Sequence, residues 1–240
     1  LTPLRTLVLT LTAGAPYALL SYSGFIYAPA AHGGVFLNGC LPIFTTLFAW
    51  IWLGQRSRFS QMVGLVIILA GVTLVGYEGF LSSGGGMTWI GDFLFLAAIA
   101  LFAVFMVANQ VWSVYPGQVI FSITIVSAAV YVPIWFLWLD SNLTSAPGSE
   151  ILLQGAYHGL IPSVLGISCL NIAVRHIGPR ATSVFLSSVP VVAALTAIPI
   201  LNELPGLPAW IGMIAVTLGI LLALGIIGFH QETAAAGEYG

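Results

Sequence analysis

Runs of about twenty apolar residues, each long enough to cross a bilayer as a helix, recur along this chain with almost no charge to interrupt them. Eight such runs fall at residues 5–27, 31–53, 61–81, 91–112, 119–139, 154–174, 181–201 and 210–229. A helix rising about 1.5 Å per residue needs ~20 residues to cross ~30 Å of hydrocarbon. Inside lipid every backbone polar group must bond within its own segment, so the runs read as helices. A membrane barrel would instead show alternating segments of ~10 residues, and the chain has none. Composition agrees: 5% of the residues are charged and 59% hydrophobic, against roughly 25% charged in a soluble domain. Five arginines and seven acids cannot solvate a globule of this size. The pattern predicts an all-α membrane protein with eight transmembrane helices.

The breaks between runs are marked by turn chemistry. Ser82 to Gly86 (SSGGG) separates the third and fourth runs, and Pro116-Gly117 the fourth and fifth. Asp140 to Glu150 is the longest polar loop, with a glycosylation sequon at Asn142. Gly178-Pro179 precedes the seventh run, Asn202 to Pro208 precedes the eighth, and the tail after His230 is polar. With alternating spans, Arg5, Arg56, Arg58, Arg175 and Arg180 all fall on one face. Positive charge marks that face as cytoplasmic, and the even count puts both termini there. Asp140, Glu150 and Glu203 then lie outside, as do Glu78 and Asp92 near outer helix ends.

Several classes drop out. No basic patch offers itself to nucleic acid, and the four histidines and two cysteines are too scattered for a metal or a cofactor. Cys40 and Cys169 sit within apolar runs and read as small buried hydrophobes. The first run is followed by many more, which argues against a cleaved signal. The chain starts at Leu1, and residues before it are expected to be missing.

The chain repeats itself. Val35 to Pro42 reads VFLNGCLP and Val184 to Pro190 reads VFLSSVP. With Pro42 aligned on Pro190, Gly64 meets Gly212, Gly71 meets Gly219 and Gln55 meets Glu203. Runs one to three thus echo runs six to eight. Partners are an odd number of spans apart, so the copies cross in opposite senses, an inverted-topology repeat of the kind that builds many secondary transporters. The four glycines, seven residues apart within each copy, fit close helix packing.

Pro42 and Pro190 both lie near mid-membrane. A proline inside a helix frees the carbonyl four residues back, here those of Asn38 and Leu186. Beside them stand Asn38 itself, Gly39, Ser187 and Ser188. Broken backbone and uncharged polar groups at one depth make a substrate site in an alternating-access carrier. Equally, prolines are common in membrane helices, and Ser or Asn often bonds a neighbouring helix. His158, one turn into the sixth run, either faces a polar cavity and titrates or reaches the outer interface. The same pair of readings holds for His32. Tyr17, beside Pro16, either lines a pathway or packs on another aromatic ring. Asn109 and Asn171 cap helices or meet water, and Asp92 suits the N-terminal dipole of the fourth run.

The ordered series in residues 29–76 and 177–223, with Gly91-Asp92 opening the fourth run, resembles the EamA-like branch of the drug/metabolite transporter superfamily over nearly the whole chain. The resemblance implies ten spans in two five-helix repeats. It divides this chain into a partial first repeat of three helices, 1–83, and a five-helix second repeat, 84–240, with the first two family helices missing. The acid that the family usually carries after the fourth helix of each repeat is kept as Glu203 and replaced by Gln55.

No acid or arginine falls at mid-membrane, where a charge costs at least ~2.5–3.5 kcal/mol and marks a relay or counter-ion. The expected substrate is therefore a small neutral or zwitterionic metabolite such as an amino acid, unless the missing helices carry the charge. The reading is a secondary carrier or exporter in a cytoplasmic membrane, with lipid and metabolite as its partners and no nucleic acid. The sequence leaves a homodimer open. The rivals are a passive pore and, behind it, an intramembrane enzyme, for which Ser23 and Asp92 lack partners.

Overall fold

The structure, a computed structural model, describes residues 1–77, 87–138, 147–201, 204 and 206–226. Expectations placed on Glu78, the 82–86 turn, Asp140, the Asn142 sequon, Asn202, Glu203 and the tail after His230 lie outside these residues. Every regular element among the described residues is helical. The elements are α1 (Pro3–Ala13), α2 (Ala15–Tyr27), α3 (Ala30–Gly33), α4 (Leu41–Leu53), α5 (Phe59–Val75), α6 (Thr88–Val111), α7 (Pro116–Ile120), α8 (Ser127–Trp138), α9 (Gly148–Leu160), α10 (Ile167–Leu186), α11 (Val189–Leu201) and α12 (Leu207–Ala223). Wide π-type turns at Gly34–Gly39, Phe121–Val126 and Ile161–Gly166 join α3 to α4, α7 to α8 and α9 to α10.

Five helical stretches are long and apolar enough to cross a membrane: Pro3–Tyr27, Gly34–Leu53, Thr88–Val111, Pro116–Leu137 and Gly148–Leu186. Three apolar helices are shorter, Phe59–Val75, Val189–Ile200 and Leu207–Ala223. Each falls on one of the eight runs, but Gly148–Leu186 joins the sixth run to the start of the seventh. The expected break is nonetheless present inside it. Gly178 adopts φ 82 and ψ 162, a left-handed value that glycine takes at little cost. Pro179 disfavours an α conformation for the residue before it, and the axis turns there.

The long central helix α6 is the packing hub. Phe95, Ala98, Ala103, Phe105, Met106, Val107, Ala108 and Asn109 are all fully buried on it. It packs against α1, α2, α4 and α10. A second cluster, Leu65, Ile68, Val72, Val184 and Val216, ties α5 to α10 and α12. The outer faces are the reverse of a soluble protein's. Phe59 is 85% exposed, Phe136 78% and Ile26 77%, with dozens of other large apolar side chains beside them. Monomeric soluble proteins do not expose apolar patches on this scale. These faces suit lipid, and the chain is a helical membrane protein.

Close approach of two helices sets the α5–α12 contact. A Cβ added to Gly64 would lie 2.7 Å from the Gly219 carbonyl oxygen, and one added to Gly71 would lie 2.8 Å from that of Gly212. The reverse holds as well, with 2.9 Å from Gly219 to the Gly64 oxygen and 2.6 Å from Gly212 to that of Gly71. Backbones touch where side chains are missing, as in small-residue packing of membrane helices.

Contacts also gather the five arginines at one end of the bundle. The Arg5 guanidinium lies 5.5 Å from the Trp112 ring, and that of Arg175 4.4 Å from Tyr115. Trp112 meets Trp52 edge-on at 5.8 Å, next to the 54–58 segment that holds Arg56 and Arg58. Arg180 donates to Ser57 in that segment.

Candidate substrate-binding site

Pro42 has no N–H to give the Asn38 carbonyl, and that carbonyl accepts a hydrogen bond from the Ser187 hydroxyl across the bundle at 3.2 Å. Pro42 sits in the first turn of α4, directly after the Gly34–Gly39 π turn. The freed acceptor predicted from the sequence is thus the point where the two echoing segments touch. Ser187 is fully buried and also donates to Ser183 of its own helix at 3.3 Å. One turn away the hydroxyls of Thr45 and Ser183 share a bond of 2.6 Å, both of them buried. The two helices therefore cross on a polar seam set within apolar walls.

The remaining site candidates are spread more widely. The Asn38 amide folds back onto the Gly34 carbonyl at 3.3 Å. Gly39 is buried against α5, where an added Cβ would lie 3.4 Å from that of Val72. Ser188 bonds the Phe185 carbonyl of its own turn at 2.7 Å. Pro190 is the second residue of α11. Tyr17 stacks on Phe102 at 5.1 Å, the aromatic packing that stood as one of its two readings. His158 is exposed, edge-on to Tyr157 at 5.2 Å, on a helix with no buried residue. The structure thus brings Asn38, Pro42 and Ser187 together and leaves His158 and Tyr17 elsewhere.

Three arrangements were not foreseen. His32 Nδ1 lies 2.7 Å from an Asp92 carboxylate oxygen, joining α3 to α6 at the end away from the arginines. Asn171 donates to the Asn109 side chain at 2.7 Å and to the Val114 carbonyl at 3.0 Å, with both asparagines fully buried. Third, a cavity of about 230 Å³ opens near the arginine end, lined by Thr46, Gln55, Gln61, Leu65 and Arg180 among others. Local chemistry builds its walls. Gly54, at φ 65, caps α4 through Trp50 and Ala49 and turns the chain into the 54–58 segment. Gln61 accepts from the Arg58 backbone N–H at 3.0 Å, which fixes the start of α5. The Gly178-Pro179 turn sets Arg180 in the first turn of the second half of α10, where it reaches Ser57 and, at 3.4 Å, Gln61.

Comparison with known proteins carries the identification. The sequence matches the EamA-like transporter family over residues 2–77 and 89–225. A protein of Streptantibioticus cattleyicolor named a probable terminal-alkyne amino-acid exporter is 24% identical over 207 residues, 86% of this chain and 68% of that one. An uncharacterized transporter of Bacillus subtilis, YyaM, is 26% identical over 220 residues, 87% of this chain and 68% of that one. A solved crystal structure superposes with a TM-score of 0.78 at 20% identity, covering 95% of this chain and 80% of its own, a likeness of fold. With both stretches matched and both relatives named for transport, this chain belongs to the EamA-like transporter family and is a transporter rather than an enzyme.

Proposed function

We propose that the protein is a secondary carrier of a cytoplasmic membrane that exports a small neutral or zwitterionic metabolite, an amino acid or a close relative, by alternating access. One observation carries this reading. Gly64 contacts Gly219 and Gly71 contacts Gly212, whereas the repeat matches Gly64 with Gly212 and Gly71 with Gly219, so each glycine touches the counterpart of the other glycine on its own helix. Reciprocal contact of this kind is the signature of a two-fold axis. Between helices of opposed direction, it supports two inverted halves, residues 1–83 and 84–240, which rock about the seam of Asn38, Pro42 and Ser187. The same threading and the single arginine-bearing end support eight spans with both termini cytoplasmic. The substrate class rests on the uncharged seam and on the relative named as an amino-acid exporter.

Counterflow in vesicles reconstituted with the full chain is the test. A carrier loaded with unlabelled L-valine accumulates labelled L-valine transiently, and the rate saturates. Flux that stays linear in concentration with no counterflow means a pore and sinks the proposal. Asn38→Leu, which keeps the backbone bond to Ser187 and removes the side-chain amide beside it, is expected to abolish counterflow at unchanged membrane yield.

A further inference from the structure

We infer that the cavity at the arginine end is a receptor for the carboxylate of the transported molecule, with Arg180 as its anchor. The inference rests on the carrier reading for its biological sense but on the cavity alone for its chemistry.

Arg180 differs from the other four arginines. Arg5 and Arg175 lie over aromatic rings, and Arg56 and Arg58 are exposed. Arg180 is half-buried and lines the cavity. Its partners there, Ser57 and Gln61, are both neutral, and both bonds come from a single guanidinium nitrogen. Among the described residues no carboxylate contacts it, since the ion pair they contain is His32–Asp92. A guanidinium offers five N–H donors in a planar fork that matches a carboxylate. Here Nε and Nη1 have no protein partner among the described residues. A cation kept inside a cleft with only neutral neighbours lacks its anion, and a charge-assisted bidentate pair is the strong way to supply one.

The other walls narrow the ligand. Leu65, Ile177 and Val184 are apolar and fit a short aliphatic side chain. Thr46 and Gln55 also line the cavity, and their oxygens are acceptors suited to an ammonium group. Carboxylate, ammonium and small apolar side chain together describe a neutral α-amino acid. Position matters too. Arg180 comes from the second copy, and Ser57 and Gln61 from the first, so a ligand on Arg180 sits where the halves meet. A carboxylate there competes with Ser57 and Gln61 for the guanidinium and loosens the contact between the halves as it binds.

Phenylglyoxal modification of the full chain in detergent, read arginine by arginine by mass spectrometry, tests the site without any transport. L-valine and butyrate are expected to slow modification of Arg180 roughly tenfold, the lower end of what a charge-assisted hydrogen bond supplies. Valinamide, which lacks the carboxylate, leaves it unchanged, and Arg56 reacts equally throughout. In vesicles, Arg180→Gln raises the KM for L-valine by a similar factor with little change in kcat, and Arg180→Lys recovers part of the loss. Arg180 modified at the same rate with and without both carboxylates overturns the inference. So does Arg180 that is protected with no ligand present and exposed by Glu232→Gln with Glu238→Gln, which assigns the site to the chain's own tail. Protection by L-valine without counterflow keeps the site and sinks the carrier. Counterflow with Arg180 unprotected does the opposite.

Discussion

Pro42 lacks one hydrogen, and a contact between the two echoing segments follows from it. A carbonyl left without its helical donor must find another, and Ser187 supplies a hydroxyl. Ser187→Ala removes that donor inside a fully buried seam, and the loss is expected to be about 1 kcal/mol, in line with hydrogen bonds in proteins and between membrane helices. The neighbouring Ser188→Ala deletes a hydroxyl that bonds only its own turn and is expected to change stability by less than about 0.5 kcal/mol. Melting curves in one detergent compare the two, and equal midpoints would mean that the Ser187–Asn38 bond does not hold the two echoing segments together. The freed carbonyl of Asn38 was legible in the sequence, because a missing N–H is a covalent property of proline, whereas only the structure pairs it with Ser187. The His32–Asp92 pair was not. Its members lie 60 residues apart, each with a sufficient local role, and only the packing of α3 on α6 joins them. Asp92→Asn takes the anion from His32 and is expected to lower stability by about 1–3 kcal/mol, read as a fall in melting temperature that Asp92→Glu partly restores.

Helices in lipid gain little from hydrophobicity, because the lipid is as apolar as they are. What holds α5 to α12 is therefore fit. Gly71→Leu would drive a side chain into a backbone whose atoms stand 2.8 Å from the first added carbon. The two helices would have to part, at a cost of about 2 kcal/mol or more. Gly159, on α9, meets nothing within 4 Å, so Gly159→Ala is expected to be neutral or to stabilise by up to about 1 kcal/mol through helix propensity. Folded yield from membranes, read by size-exclusion chromatography, separates the two. A Gly71→Leu protein eluting like the parent would show that the close approach is dispensable. The element scale was the most legible, because length and apolarity set the helices and period-seven glycines set a packing face. The π turns were not foreseen. A wide turn such as Phe121–Val126 has no proline or glycine inside it to announce it in the sequence. The cavity was hidden for a related reason: Thr46, Gln55, Gln61 and Arg180 share no motif and meet only because Gly54 and Gly178 turn their segments inward.

The whole molecule is polarised. One end carries all five arginines, three of them held against Trp112, Tyr115 and Ser57, and the other carries the His32–Asp92 pair. Lysine and arginine near span ends orient membrane proteins with the positive face toward the cytoplasm. The arginine end should therefore face inward, and α7 with α8 should carry the chain to the far side. Gly117 and Ser149 test both statements at once. Gly117 is exposed in the first turn of α7, two residues from the Tyr115 ring that Arg175 covers. Ser149 is exposed in the first turn of α9, beyond α8. Cys40 and Cys169 are the two native thiols, and Cys40→Ala with Cys169→Ala clears the background. In right-side-out vesicles an impermeant maleimide is expected to label Ser149→Cys at once and Gly117→Cys only after the membrane is opened. Labelling of both from one side means that α7 and α8 do not cross, and the inverted halves fall with them. The reversed pattern keeps the threading and inverts the direction, placing the Arg180 cavity where a solute would be captured from outside.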